Sequence, residues 1–369
     1  MNRRAASLAG LTVALVLGAR LALPDAAAVV SLPDHLSDQE FWALSGKLSE
    51  PAGTFHSENF VSNEGRYQTV IPELITRARQ GRVYLGVGPE QNFTYIVAIR
   101  PAMGFIIDIR RGNLHEHLLY KALIELSVDR AEFLSRLFSR KRPAGLGPQT
   151  PVEQIFTAYF SVAPSPELYQ KNQAAVADWL TRRHGFPLPA EDLRGIDHVY
   201  KTAFYTDGPN LGYTLTGASG GVGSPNYAVL MAMNDGQGTQ RSFLATEENF
   251  QFLKTLQIRN LLVPVVGDFS GPKALRSVGQ YVRDRGATVG AFYLSNVEQY
   301  LQPDALWNRF CSNVASMPLD ASSTFIRSVR GGAGGTRAGL SPGVSLFTSS
   351  LGAMQAETQS CSRPPERVP

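Results

Sequence analysis

RVYLGVGPEQ at positions 82–91 and GFIID at positions 104–108 form the stretch that indicates the fold of this chain. The pattern predicts an apolar strand, a glycine turn, a short helix and a second apolar strand that ends in an acid. Asp108 stands 20 residues after Gly88, which is the spacing of a Rossmann-type nucleotide site. Gly86 and Gly88 let the backbone turn sharply beside a ligand, and Asp108 can accept hydrogen bonds from ribose hydroxyls. The stretch therefore predicts a site for an adenosine-containing cofactor; the alternative is an ordinary strand and turn in which Asp108 caps the turn.

Two departures from the dinucleotide pattern narrow the choice of cofactor. Gln91 replaces the third glycine of G-x-G-x-x-G, and Pro89 follows the second glycine. A dinucleotide needs its pyrophosphate against a helix N-terminus, whereas S-adenosyl-L-methionine has no pyrophosphate and tolerates a looser loop. The pattern thus favours S-adenosylmethionine over NAD or FAD.

Composition limits the class of partner. The 369 residues, 43% of them hydrophobic, are enough for one large domain or two small ones. The net charge is +4, of which residues 1–28 contribute +2 and residues 331–369 contribute +1, so about +1 is left for the rest. Because no basic stripe is interleaved with aromatic residues, we expect a small-molecule ligand and no nucleic acid.

The first 28 residues have the pattern of an export signal. Arg3 and Arg4 precede an uncharged, largely apolar segment at 5–19, and the small residues 26–28 offer a cleavage site. We expect an exported protein, periplasmic or extracellular, that contacts a membrane only if this N-terminus stays uncleaved; the alternatives are a membrane-anchored or a cytoplasmic protein. An oxidising compartment would permit, without requiring, a disulfide between Cys311 and Cys361.

The rest of the chain predicts an α/β fold, a Rossmann-like doubly wound parallel sheet with a helical insert. Apolar runs at 261–268 and 288–294 predict further buried strands, and residues 325–326 predict a short last strand. The domain is expected to span 29–330, with the insert at about 113–250.

Three segments of this domain plan carry more specific predictions. A capping box, Asn113-x-x-Glu116, is expected to open the first insert helix. The segment 205–226, rich in Gly, Ser and Pro, predicts a lid or binding loop. Residues 331–369 have few large apolar groups and are expected to be a disordered tail.

Ligands of open α/β sheets bind beyond the carboxyl ends of the strands, where three predicted strand ends converge. These ends are 86–88, 267–269 and 294–296, and Asp108 ends the neighbouring strand. Asp268 can orient a substrate group or act as a base; the alternative is that it caps the following helix. The residues assigned to the cofactor are Gly86, Gly88, Glu90, Asp108, Ser295 and Asn296, and Asp268 is the candidate catalytic residue.

These motifs resemble those of class I S-adenosylmethionine-dependent methyltransferases. The similar segments are YLGVG at 84–88, Ile107-Asp108 and VGDF at 266–269. FYLSNV at 292–297 is similar to the Leu-Ser-Asn segment of aminocarboxypropyl transferases, which use the same cofactor. Residues 55–301 resemble an uncharacterised bacterial family that carries this methyltransferase-like core. The resemblance implies a Rossmann-like fold and leaves the activity open, since one fold serves many functions.

The export signal and the cofactor lead to two hypotheses. S-adenosylmethionine is made in the cytoplasm, so an exported protein has little access to it. The first hypothesis is a transferase of unknown substrate that uses S-adenosylmethionine; the second is a non-catalytic exported binding module that keeps the fold and binds another ligand.

Other sequence patterns are assigned to no chemistry. G-x-S-x-G at 217–221 matches a hydrolase elbow, but all six histidines precede Ser219, whereas that fold needs one after it. His115 and His117 would lie on different faces of a helix and are not expected to share a metal ion. The polar residues Glu58, Asn59, Ser62 and Asn63 are expected to form a hydrogen-bonded turn, with closure over a ligand as the alternative.

Overall fold

A six-stranded sheet forms the centre of the computed structural model, which describes residues 31–213, 225–301, 304–330 and 347–362. The strand order is β3-β2-β1-β4-β5-β6. The strands are β1 (Val83–Gly86), β2 (Met103–Asp108), β3 (Leu262–Val266), β4 (Val289–Ser295), β5 (Thr324–Arg330) and β6 (Phe347–Ala353).

Five of the six strands run parallel, and only β6 pairs antiparallel, with β5. Every residue of β1, β2 and β3 is buried, which explains why these strands are continuous apolar runs. The prediction of an α/β fold with a mostly parallel sheet is therefore confirmed. The order reverses between β1 and β4, so the carboxyl ends of these two strands border a crevice.

Thirteen α-helices surround the sheet within the described residues. They are α1 (Asp38–Leu48), α2 (Ile71–Arg77), α3 (Gln91–Ile99), α4 (Arg111–Leu126), α5 (Arg130–Leu137), α6 (Val152–Phe160), α7 (Pro166–Asp178), α8 (Ala190–Val199), α9 (Tyr227–Ala232), α10 (Glu247–Ile258), α11 (Ala274–Asp284), α12 (Asp304–Ala315) and α13 (Met354–Thr358). None of the helices in this described part has the length and apolarity that a membrane crossing requires.

The chain between β2 and β3 forms helices α4 to α10. The expected capping box is wrong: α4 begins at Arg111, Asn113 is buried inside its first turn, and Glu116 is buried in its second turn. Neither the Nδ2 atom of Asn113 nor the carboxylate of Glu116 has a hydrogen-bond partner among the described residues. Most of the expected lid, residues 214–224, lies outside the described residues, and the G-x-S-x-G segment lies there too.

A buried polar network joins α1 to the insert. Lys121 Nζ donates to Glu125 Oε1 at 2.7 Å, and Trp179 Nε1 donates to Glu125 Oε2 at 2.7 Å. The His184 ring lies between Glu125 Oε2 at 2.7 Å and Asp38 Oδ1 at 2.6 Å. Burial alone would raise the pKa of Glu125, but the hydrogen bond from His184 and the charge of Lys121 outweigh it and lower that pKa. Through His184, the network links the carboxylates of Asp38 on α1 and Glu125 on α4, two elements that are distant in sequence.

The structure of the C-terminal segment corrects the prediction of a disordered tail at 331–369. Residues 347–353 form β6, which pairs with β5 over seven positions from Phe347 to Ala353, and α13 follows. Cys311 of α12 and Cys361 form a disulfide with a Cα–Cα distance of 5.6 Å. The segment is therefore ordered by backbone pairing and a covalent link. Residues 331–346 and 363–369, like residues 1–28 with the predicted export signal, lie outside the described residues.

Candidate functional site

A cavity of about 350 Å³ opens at the carboxyl edge of the sheet, in the crevice between β1 and β4. Residues that follow β1, β2, β3 and β4 line its floor, and the segment 54–63 forms one wall. Five of the seven predicted site residues line this cavity: Gly88, Asp108, Asp268, Ser295 and Asn296. Gly86 and Glu90 do not.

The glycine turn after β1 is held by one side chain of α3. Asn92 Nδ2 faces the carbonyl oxygens of Val87, Gly88 and Pro89 at 2.9, 3.2 and 2.7 Å. Gly88 has a φ of +75°, which favours glycine, and it lines the cavity. A Cβ at Gly86 would overlap Asn92 Oδ1, so Gly86 is needed for packing against α3 and does not reach the cavity.

Glu90 is buried in the protein interior, so the structure corrects the prediction that it lines the cofactor site. Its side chain is fully buried, and neither carboxylate oxygen makes a hydrogen bond of normal geometry among the described residues. Burial raises the pKa of Glu90 to about 8, against a smaller lowering by the nearby amides of Glu90 and Ser62. Burial also raises the pKa of Glu116 well above its usual range, and the charge of Glu90 adds to that rise. With this pKa, Glu90 favours the neutral form at neutral pH.

Asp108 forms a bidentate ion pair with Arg110 at the cavity wall. Arg110 donates from Nε to Oδ1 at 3.0 Å and from a terminal nitrogen to Oδ2 at 2.9 Å, and its backbone amide donates to Oδ1 at 2.9 Å. Burial opposes the charge on Arg110, but the charge of Asp108 outweighs it and raises the pKa of the guanidinium. Arg110 also donates to the carbonyl oxygen of Glu58 and so fixes the loop that covers the site. Within the described residues Oδ2 accepts this one hydrogen bond, whereas a carboxylate oxygen can accept about two.

Asp268 lies in a turn after β3 and does not cap the next helix. Its Oδ1 accepts hydrogen bonds from the amide and the hydroxyl of Ser270 at 2.8 and 3.0 Å. The start of α11 is capped by Glu50, whose Oε1 accepts hydrogen bonds from the amides of Lys273 and Ala274 at 2.7 and 2.5 Å. The capping alternative is therefore wrong, and Asp268 is half-buried on the cavity wall.

The end of β4 is irregular at the cavity. The pairing of β4 with β5 shifts register between Tyr293 and Ser295, and Ser295 has a φ of +50°, which is uncommon for a residue other than glycine. Ser295 Oγ donates to Glu64 Oε1 at 2.9 Å, and the Tyr293 hydroxyl donates to the same atom at 2.6 Å. Glu64 is fully buried and belongs to no motif in the sequence, so sequence reasoning missed it. Asn296 follows on the cavity wall.

The segment 54–63 lines one wall of the cavity with polar and aromatic side chains. Asn59, Ser62 and Asn63 line the cavity, whereas Glu58 points away and pairs with His198 Nε2 at 2.7 Å on the surface. The ring of Phe55 meets that of Tyr300 edge to face, with centroids 5.0 Å apart, at the same wall. The amides of Asn59 and Glu64 donate to the hydroxyls of Ser57 and Ser62, so the expected hydrogen-bonded turn is present and forms one wall of the cavity.

The two helical histidines are engaged in different places. His115 Nε2 contacts Asp192 Oδ1 at 2.8 Å, and His117 Nε2 contacts the carbonyl oxygen of Gly88 at 2.9 Å. Burial lowers the pKa of His117 to about 4, so the neutral ring donates its N–H to the glycine turn. No group of three or more His, Cys, Asp or Glu side chains suited to a metal ion occurs within the described ranges.

Comparison with known proteins places the chain in a family whose function is not known. A search of curated proteins returned no match. The family model described as Domain of unknown function (DUF7790) matches residues 59–145 and 150–358, well over half of the chain. The matched ranges include the glycine turn, Asp108, Asp268 and the end of β4. The chain therefore belongs to this family, DUF7790.

Proposed function

We propose that the cavity binds S-adenosylmethionine and that the protein is a methyltransferase-like transferase on a Rossmann-like sheet. One observation carries the proposal: the glycine turn after β1 and the acid at the tip of β2 line one cavity where the strand order reverses. The parallel order β3-β2-β1-β4-β5 supports the Rossmann-like part, because such sheets bind adenosine-containing ligands at this crevice.

The charge and burial around the turn favour this cofactor over a dinucleotide. Glu90, Gln91 and Asn92 at the start of α3 are all fully buried, which leaves no room for a pyrophosphate against that helix. Among the described residues that line the cavity, Arg110 is the only lysine or arginine, and Asp108 neutralises it. A ligand with two phosphates would find little compensation for its charge, whereas a sulfonium with an ammonium group would find carboxylates.

Each lining residue has a role under this proposal. Gly88 lies beside the amino-acid end of the cofactor, and Asp108 accepts a ribose hydroxyl at its remaining Oδ2 position. Asp268, Ser295 and Asn296 border the space for the acceptor substrate. Methyl transfer depends mainly on proximity and in-line geometry, so these residues need only hold the acceptor in position.

The disulfide favours a second candidate, a non-catalytic exported module that binds another ligand in the same cavity. Disulfides persist in oxidising compartments, and Cys311 pairs with Cys361. Under this alternative the protein works outside the cytoplasm, where S-adenosylmethionine is scarce.

Calorimetric titration of the purified protein with S-adenosylmethionine and S-adenosylhomocysteine tests the proposal. We expect micromolar binding of both, since both carry the adenosine and amino-acid ends. Absence of binding by a folded sample would refute the proposed function and favour the second candidate. Fractionation of the producing cells then tests that candidate, which requires the protein outside the cytoplasm.

A further inference from the structure

Glu64 is a buried carboxylate held by four donors from three elements of the fold. Its Oε1 accepts hydrogen bonds from the hydroxyls of Tyr293 and Ser295 on β4, at 2.6 and 2.9 Å. Its Oε2 accepts hydrogen bonds from Gln91 Nε2 on α3 at 3.0 Å and from Ser349 Oγ on β6 at 3.1 Å. All four donors are electrically neutral groups, so none of them cancels the charge of the carboxylate.

The charge of Glu64 faces the cavity through two hydroxyl groups. Tyr293 and Ser295 both line the cavity, so the carboxylate lies one hydrogen bond behind the wall. Glu64 takes part in no ion pair within the described part of the chain. On the wall itself, Asp108 and Arg110 neutralise each other, and Asp268 adds a second negative charge. The described lining of the cavity, together with Glu64 behind it, therefore carries a net negative charge.

We propose that Glu64 determines the charge specificity of the cavity, so that it binds the sulfonium cofactor more tightly than the neutral thioether product. This inference rests on the proposed function, and it extends that function to the discrimination between cofactor and product. In the transfer, the acceptor's electron pair forms a bond to the methyl carbon, and the carbon–sulfur electron pair remains on sulfur. The positive charge thereby leaves sulfur and passes to the acceptor, which releases it as a proton. The attraction to Glu64 is lost at this moment, which favours release of the thioether.

Glu64→Gln removes the charge while keeping the size of the side chain. Three of the four donors are hydroxyl groups, which can reverse and accept a hydrogen bond from the new amide. The variant is therefore expected to fold. Glu298→Gln is the matched control, because it also removes one negative charge close to the end of β4. Glu298 pairs with Arg327 and does not line the cavity, and Arg327 keeps Glu357 as a partner in that variant.

The experiment is calorimetric titration of the full-length wild type, Glu64→Gln and Glu298→Gln. The three ligands are S-adenosylmethionine, S-adenosylhomocysteine and an analogue with a protonated amine in place of the sulfonium. We expect the wild type to prefer both cationic ligands over the thioether. Glu64→Gln should reduce that preference about tenfold, as expected for a poorly screened charge close to the ligand, and Glu298→Gln should leave it unchanged.

The outcomes separate this inference from the function on which it rests. If the wild type binds all three ligands but Glu64→Gln keeps the same ratio of affinities, the role of Glu64 is refuted and the proposed function stands. If the wild type binds none of the three ligands, both the proposed function and the role of Glu64 are refuted. If Glu64→Gln does not fold, the wild type alone decides: affinities for the cationic and thioether ligands within about twofold of each other would overturn the inference.

Discussion

The buried acid Glu90 predicts an unusual dependence of stability on pH. Its pKa of about 8 in the folded protein compares with 4.5 for a free glutamate, so folding requires this side chain to take up a proton at neutral pH. Below pH 4.5 the side chain is protonated in both the folded and the unfolded protein, and the stability of the fold is at its full value. As pH rises from 4.5 towards 8, the free energy of unfolding falls, because the unfolded chain releases the proton and the folded protein keeps it. Above pH 8 both states have released it, and the free energy of unfolding falls no further on this account. Glu90→Gln is neutral at every pH and avoids this loss. With about 1.4 kcal/mol for each pKa unit, the variant should gain on the order of 3 kcal/mol over wild type at pH 7.

Urea unfolding followed by circular dichroism between about pH 5 and pH 8 measures this gain. The difference in free energy of unfolding between Glu90→Gln and wild type should increase with pH. Glu73→Gln on α2, whose side chain is 56% exposed, is the control and should show no comparable increase. A constant difference across the pH range would refute the reasoning. Ligand affinity should be the same in Glu90→Gln and wild type, because Glu90 does not line the cavity.

Three further perturbations test other parts of the molecule. Glu125→Ala leaves Lys121 buried without its carboxylate partner and should lower the free energy of unfolding, measured in urea, by about 3–5 kcal/mol. A loss below about 1 kcal/mol would contradict the role of Glu125 in the buried polar network. Cys311→Ser opens a loop of 50 residues and should lower the free energy of unfolding by about 2–4 kcal/mol. Reduction of the wild-type disulfide should lower it by the same amount. Equal stability of the reduced and oxidised wild type would argue against the bond to Cys361. Asp108→Asn should weaken binding of S-adenosylmethionine about tenfold in titration calorimetry while the circular dichroism spectrum stays the same. Unchanged affinity would remove Asp108 from the ligand site.

The parallel strands could be predicted because burial on both faces produces a recognisable sequence. The run LLVPVV at 261–266 contains only apolar residues, and it contains all of β3. The strand β6 could not be predicted in this way. Its sequence FTSSLGA is half polar and half-buried, and its position depends on backbone pairing with β5 at the edge of the sheet. Composition therefore indicated a disordered tail where the structure has a strand.

The residues of the candidate site could be predicted where they follow the carboxyl end of a parallel strand, because ligands of open α/β sheets bind there. The other residues of the site could not be predicted. Asp108, Asp268 and Ser295 follow apolar runs, which brings them to one edge of the sheet. Glu64 meets Ser295 across 231 residues of sequence, and no local pattern records such a contact. Glu90 was misplaced because the direction of a side chain after a proline turn depends on backbone angles that the sequence does not specify.

The contact between Ser349 and Glu64 makes the site depend on the C-terminal strand β6. The two residues are 285 positions apart, so the fourth donor to Glu64 is absent from a growing chain until residue 349 has emerged. Closing a loop of this length costs conformational entropy, which the packing of β6 on the sheet must offset. A fragment that retains β1 to β5 but lacks β6 would present the cavity without the hydrogen bond from Ser349 to Glu64.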